Sequence, residues 1–408
     1  MSVWDVLIGQ SEAIGALRAA AIAGQDVAAG RPTAPGALTH AWLFTGPPGS
    51  GRSVAARALA AALQCTEPDA EGPGCGRCQG CHTTLTGTHP DVRVINPEGL
   101  SIGVDEMRAV VGAAARRPVL GFWQVMIIED ADRLTEGAAN ALLKAVEEPP
   151  DRTLFLLCAP STHPDDVSVT LQSRCRRLTL RTPPTEAIAA VLRADGNDEY
   201  TSQWVALAAQ GHVGRARRLA GDADARQRRA EVLAIPSSLR TMADCFTAAD
   251  HLLRAANAES SALTTGRDAG ETDALKIALG AGGTGKGALA VGRGTAGAVK
   301  ELEKSQKSRA TRTRRDVLDR ALVDLAGFYR DVLLRHAGEA ANGGHPSRPV
   351  QPAHPDAAGA VADVAKVVSP AQALHRLDAV LECREALELN VKPQIAVEAL
   401  MMALRLPH

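Results

Sequence analysis

Aromatic residues are scarce: four Trp, two Tyr and five Phe make up 3% of 408 residues. That excludes, as a main activity, a surface on which bases stack against a row of rings. Excess charge of one sign is missing too. The chain has 45 Lys and Arg against 46 Asp and Glu, a formal net charge of −1. Any contact with nucleic acid must therefore come from local patches rather than from a field over the whole molecule. No uninterrupted apolar run is long enough to span a bilayer. The opening MSVWDVLIGQSEAIG lacks the basic segment and apolar core of a secretory signal. A cytoplasmic location is the resulting expectation. Hydrophobic residues at 45% and charged residues at 22% exclude a wholly disordered chain, and the length suits two or three domains. Cysteine is sparse and uneven, with four of the eight between Cys65 and Cys81. In a cytosolic chain such crowding points to metal binding more than to disulfides.

What is present first is an alternation of strand and helix patterns over roughly the first 180 residues. Ala41-Trp42-Leu43-Phe44 precedes a glycine-rich turn from Gly46 to Gly51, and an alanine-rich helix is predicted over 52–63. Val125-Met126-Ile127-Ile128 and Leu154-Phe155-Leu156-Leu157 are continuous apolar runs, suited to parallel strands buried on both faces. Between them a helix starts near Thr135, with Ala139, Leu142, Leu143 and Val146 as its inward stripe, and Pro149-Pro150 stops it. Strand, helix, strand in that order predicts a parallel α/β sheet.

Thr182-Pro183-Pro184-Thr185 reads as a boundary. The expected organisation is an α/β domain over 1–181, a small helical lid over 182–235 and an all-helical domain over 236–408. In the last, Leu318, Leu322, Leu325, Tyr329 and Val332 share one helical face, and Pro393 opens a final helix. Two stretches, 258–314 and 345–359, are poor in large apolar residues and read as mobile insertions.

Several motifs carry chemistry. Gly46-Pro47-Pro48-Gly49-Ser50-Gly51-Arg52-Ser53 is a phosphate-loop pattern: Gly46, Gly49 and Gly51 let backbone N–H groups curl around phosphate oxygens, and Ser53 would offer its hydroxyl to Mg²⁺. Arg52 stands where the pattern has lysine, and a planar guanidinium does not simply replace a compact ammonium. Glu129-Asp130 closes the strand 125–128 as a second nucleotide motif would, but in inverted order, which leaves Asp130 one methylene short as a base. ATP with Mg²⁺ is thus left open as a ligand, and hydrolysis is not expected. Cys65, Cys75, Cys78 and Cys81 have the spacing of a closed tetrahedral Zn²⁺ site of structural type, with His82 and His89 as nearby alternatives. Arg174, in Ser173-Arg174-Cys175, belongs to a basic run that by itself reads as a solvated face. Arg215, Arg217, Arg218, Arg226, Arg228 and Arg229, and the basic run 300–315, could contact phosphates, with solvated helix faces as the plainer reading. The stretch 280–287 mimics a phosphate loop and carries Lys286, but lacks the following Ser or Thr and lies in low-complexity surroundings.

Taken in order, the phosphate loop, the four-cysteine knuckle, the segment from Asn140 to Pro150 and Ser173-Arg174-Cys175 resemble bacterial clamp-loader AAA+ subunits of DNA polymerase III. The likeness is strong over about 1–220, and the helical remainder is compatible with it. Three features resemble the delta-prime type rather than the gamma/tau ATPase type, which is the alternative: the chain opens directly at Val3-Trp4-Asp5, its phosphate loop lacks lysine, and Gly211-His212-Val213-Gly214 has glycine where the ATPase type places a second sensor arginine. The resemblance implies an AAA+ core with a zinc knuckle, a lid and a helical collar. It also implies a ring formed with gamma/tau and delta subunits, which opens a sliding clamp on primer–template DNA. Arg174 would act there as an arginine finger in a neighbour's ATP site, with no independent catalysis by this chain.

Overall fold

The computed structural model describes residues 2–97, 99–278, 288–340 and 351–407. The stretch 280–287 and residues 345–350 of the expected insertion 345–359 therefore lie outside the described residues. The chain divides into two compact units, Met1–Val191 with Gly211–Gly214, and Leu192–Gln210 with Arg215–His408.

The first unit begins with α1 (Ser11–Ala28) and then β1 (Ala41–Thr45), whose five residues are all buried. There follow α2 (Arg52–Leu63), α3 (Gln79–Leu85), β2 (Val92–Ile95), α4 (Val104–Ala114), β3 (Gln124–Ile128), α5 (Glu136–Glu147), β4 (Thr153–Ala159), α6 (Val169–Gln172) and β5 (Arg176–Thr179). The strands form one parallel sheet in the order β2-β3-β4-β1-β5. β3, β4 and β1 are buried along their whole length, as continuous apolar runs require. One face packs Trp42, Phe44, Leu59, Leu63 and Leu156; the other packs Leu43, Met126, Ile128, Leu142 and Phe155. Truncating one of these to alanine should cost about 2–5 kcal/mol.

β5 has no sequence signal of its own. Its Arg176, Arg177 and Thr179 are exposed on the sheet edge, and Arg176 lies 4.7 Å over the Trp42 ring. The α5 stripe is Ala138, Leu142, Ala145 and Val146, while Ala139 and Leu143 are only half-buried. Thr135 caps α5 by accepting the Ala138 N–H at 3.3 Å.

Beyond α7 (Thr185–Ala194) the described residues form helices and no strand: α8 (Glu199–Ala208), α9 (Val213–Gly221), α10 (Ala223–Ser238), α11 (Met242–Ala278), α12 (Ala288–Ala340), α13 (Ala358–Val367), α14 (Pro370–Glu388) and α15 (Pro393–Leu404). Leu318, Leu322, Leu325, Tyr329 and Val332 are all buried in the second unit's core, on the one face their spacing implied. The second unit takes α8 and α10 together with the C-terminal helices, so the segment read as a separate lid packs mostly with the domain after it.

The largest difference from the sequence pattern is at 258–314. Read as a mobile insertion, it is helical over its described residues, where α11 and α12 pack side by side. Polar cross-links substitute for the missing large apolar side chains. Arg309 bridges Asp268 at 2.8 Å and Glu271 at 3.0 Å, Gln306 donates to the Asp268 carbonyl at 2.9 Å, and Ser260 donates to the Ala310 carbonyl at 3.0 Å.

Candidate functional site

The β1–α2 turn has the backbone of a phosphate loop. Gly46, Gly49 and Gly51 have φ of 150°, 86° and 93°, a region costly for any side chain, and Gly51 caps α2 so that the first turn begins at Arg52. Gln10 braces the loop: its amide donates to the Ser50 carbonyl at 3.3 Å and the Arg181 carbonyl at 2.6 Å, and accepts from the Arg181 N–H at 3.2 Å. Ser50 Oγ and Arg52 Nη1 are buried with no hydrogen-bond partner, donors of the kind an anion would satisfy.

Other residues at the loop point the opposite way. A β-carbon on Gly49 would come within 2.7–2.9 Å of His212 Cβ, Cα and Cγ, so His212 lies directly against the loop. Glu129 accepts two bonds from Arg57, at 3.2 Å from Nε and 3.0 Å from Nη2. The carboxylate that the motif would direct to Mg²⁺ thus already has a cation, carried on α2 one turn beyond Ser53. Asp130 has φ 53°, in the left-handed region, and turns the chain into a short 3₁₀ helix. That turn brings in Asp132, whose pKa is raised by burial and by the charge of Asp130. Cys158 on β4 is pushed up to about 12 by burial, then by the charge of Glu129. The unpartnered donors Ser50 Oγ and Arg52 Nη1 fit an anion, while Glu129 is already paired with Arg57. Arg57, Asp132 and Cys158 are site residues that the motifs did not disclose. For Arg57 the only signal is its place four residues after Ser53, on the same helical face.

The four cysteines meet. All four are buried, and their sulfur atoms lie within 4.8 Å of one another. None is in a disulfide. The backbone N–H of Cys78 donates to the Cys75 sulfur at 3.3 Å, and that of Cys81 to the Cys78 sulfur at 3.4 Å. The interaction with Cys81 lowers the pKa of the Cys65 thiol and raises that of Cys81. Gly80 is required here, because a β-carbon would meet the Gln64 carbonyl oxygen at 1.9 Å. The amino-terminal segment is stapled to the knuckle by Val3 N–H to the Gly74 carbonyl at 2.9 Å and Trp4 Nε1–H to the Pro73 carbonyl at 3.1 Å. Four converging buried sulfurs fit a metal ion, with no ligand position left open. His82 and His89 are outside this set.

Arg174 lies just past α6, with about a third of its side chain exposed. Its Nη2 is 2.6 Å from Glu147 Oε1, and its Nη1 donates to the Thr170 carbonyl at 2.9 Å and Ser173 Oγ at 3.2 Å. The arginines of 215–229 are mostly committed within the second unit. Arg215 pairs with Asp324, Arg217 with Asp195 at 2.8 Å and Arg229 with Asp356, while Arg218, Arg228 and Arg320 converge on Glu259. Arg226 donates to the Leu219 and Ala220 carbonyls. They serve as internal cross-links. Their electrostatic value depends on burial, and the side chains of Arg215 and Asp324 are only 10% and 6% exposed.

A parallel sheet in the order 2-3-4-1-5, with a phosphate-loop turn after its first strand and an acidic pair after its third, has the layout of a P-loop α/β domain. Residues 31–184 match the family model described as "DNA polymerase III, delta subunit". The chain is 40% identical over 126 residues to "DNA polymerase III subunit delta'" of Escherichia coli strain K12, covering 30% of this chain and 37% of that protein. It is 37% identical over 159 residues to the protein of the same name from Pseudomonas aeruginosa, covering 35% and 48%. The matched part of this chain is thus similar to the delta-prime subunits of DNA polymerase III. The matches span less than half the length of those curated relatives. "DNA polymerase III subunit gamma/tau" of Mycobacterium tuberculosis is more distant, 34% identical over 131 residues, 32% of this chain and 22% of that protein. A solved gamma subunit-related protein of Thermotoga maritima covers 90% of this chain and 94% of its own, at 15% identity and a TM-score of 0.42. No helix among the described residues is long and apolar enough to cross a membrane.

Proposed function

We propose that this chain is a delta-prime-type subunit of a bacterial clamp loader, which does no hydrolysis of its own and lends Arg174 to the ATP site of a neighbouring gamma/tau-type subunit. Its partners would be gamma/tau and delta subunits and, through the assembled ring, the sliding clamp and primer–template DNA. The observation that carries this reading is the ion pair between Arg57 and Glu129: the position a catalytic Mg²⁺ would need is answered by a guanidinium. Arg52 in place of lysine, the inverted Glu129-Asp130 order and His212 against Gly49 support the same conclusion. Arg174, partly exposed on a firmly built turn, is suited to act on a phosphate outside its own chain. An arginine placed against a transferring γ-phosphate stabilises the charge that develops there. The cysteine knuckle is read as a structural zinc site, since all four positions around the ion would be filled by sulfur.

The test is turnover by a reconstituted loader, stimulated by clamp and primed DNA. Arg174→Ala should leave assembly intact and lower that turnover by about tenfold or more. The full chain by itself should turn over no ATP. Unchanged stimulated turnover with Arg174→Ala, or brisk hydrolysis by the isolated chain, would overturn the reading.

A further inference from the structure

We propose that Glu147 is the positioning residue for Arg174, holding the guanidinium aimed before any neighbour arrives. The inference rests on the arginine-finger reading above and deepens it. Nothing in the sequence near Ser173-Arg174-Cys175 names Glu147. It is the last residue of α5, 27 positions earlier, and packing of α5 against α6 brings the two together.

The geometry is that of a built mount. Gln172, 4% exposed, donates through Nε2 to the Thr162 carbonyl at 3.0 Å and the Val167 carbonyl at 2.6 Å, which fixes the turn carrying Arg174. Ser168 caps the short α6 by accepting the Leu171 N–H at 3.4 Å. On this base the guanidinium is held at both terminal nitrogens. Nη1 is taken by the Thr170 carbonyl and Ser173 Oγ, and Nη2 is 2.6 Å from Glu147 Oε1. A guanidinium has five N–H donors in a rigid fork. None of these three contacts uses the Nε–H, which together with Nη2 forms an edge that can bind phosphate oxygens in a bidentate manner.

Solvent sets the strength of the hold. The Arg174 and Glu147 side chains are 36% and 41% exposed. A pair so wet restrains a long side chain without trapping it. Arginine otherwise loses much rotamer freedom when it is fixed on a ligand. Glu147 already limits that freedom in the unbound subunit. Its carboxylate would act through orientation, and it touches neither nucleotide nor the reacting atoms.

The experiment uses the full chain in the reconstituted loader, with kcat and KM for ATP measured under clamp and primed-DNA stimulation. Thermal melting and assembly are checked for each variant. Glu147→Ala should lower kcat about threefold at unchanged KM, because misplacing a catalytic group costs rate rather than nucleotide affinity. Glu147→Gln, whose carbonyl oxygen can take the same position against Nη2, should restore most of it. Glu147→Asp keeps the charge but falls a methylene short, so it should be as slow as alanine, and it decides the question if the alanine variant does not fold. The Arg174→Ala, Glu147→Ala double variant should be no slower than Arg174→Ala alone. If Arg174→Ala is slow while Glu147→Ala and Glu147→Asp match the native rate, the positioning role is wrong and the finger survives. Additive losses, or glutamine as slow as alanine, would also defeat it. If Arg174→Ala itself matches the native rate, the finger reading fails first.

Discussion

At the residue scale, single side chains decide whether old motifs still work. Arg52 keeps the charge of a phosphate-loop lysine but not its shape, and Arg57 occupies Glu129. Neither change disturbs the backbone, which retains its three positive-φ glycines. The loop keeps its strand-to-helix geometry, braced by Gln10. The cysteines have the opposite history, since every part needed for an ion is in place. Freshly purified chain should contain about one Zn²⁺, measured by elemental analysis. Cys75→Ser should lower that content sharply and bring 66–80 within reach of protease, because the sulfurs would no longer hold the loop. Native protein with no zinc, or a Cys75→Ser variant that keeps full zinc, would refute the site.

At the element scale, the helical pair α11 and α12 shows how a segment poor in apolar side chains is held. Arg309 faces Asp268 and Glu271, and the Glu271 carboxyl is pulled down to about 2, chiefly by its bonds from Arg309. The sign of the pH effect follows. A carboxyl depressed in the folded state contributes stability that is present above its unfolded pKa, about 4.3, and is lost as pH falls toward the folded value. Amides of 260–275 should therefore exchange faster as pH drops from about 4.3 toward 2, after correction for intrinsic rates. Glu271→Gln should show the faster exchange already at pH 7. Identical protection in the native and Glu271→Gln chains at pH 7 would show that the cross-link does not hold the pair. The pattern of 258–314 misleads because glycine, threonine and alanine carry little hydrophobic information. Alanine is nonetheless the best intrinsic helix former, and polar side chains can pair across helices. β5 is hidden for a related reason. An edge strand of arginines has no apolar alternation, and only its pairing with β1 makes it a strand.

At the scale of the whole molecule, charge is nearly balanced and the candidate phosphate-binding arginines are largely paired with carboxylates or backbone carbonyls of the same unit. The isolated chain should therefore bind duplex DNA no more tightly than about 10⁻⁴ M near physiological salt, the weak end of non-specific binding. Fluorescence anisotropy against a salt series checks this. Salt-sensitive binding in the micromolar range would restore the reading of a direct DNA-binding module.

Much of this protein was legible from spacing alone. Three glycines before a helix, four cysteines over seventeen positions and apolar runs bounded by polar residues are local signals, and local signals specify strand, turn, helix and knuckle without reference to the rest of the chain. Tertiary structure alone decided what the motifs can do. The bond from Arg57 to Glu129 joins residues 72 apart, His212 reaches Gly49 from far along the chain, and Glu147 meets Arg174 only where α5 packs on α6. Charged side chains take their roles from the partner that folding puts within about 3 Å, and pattern along the chain carries no information about that distance.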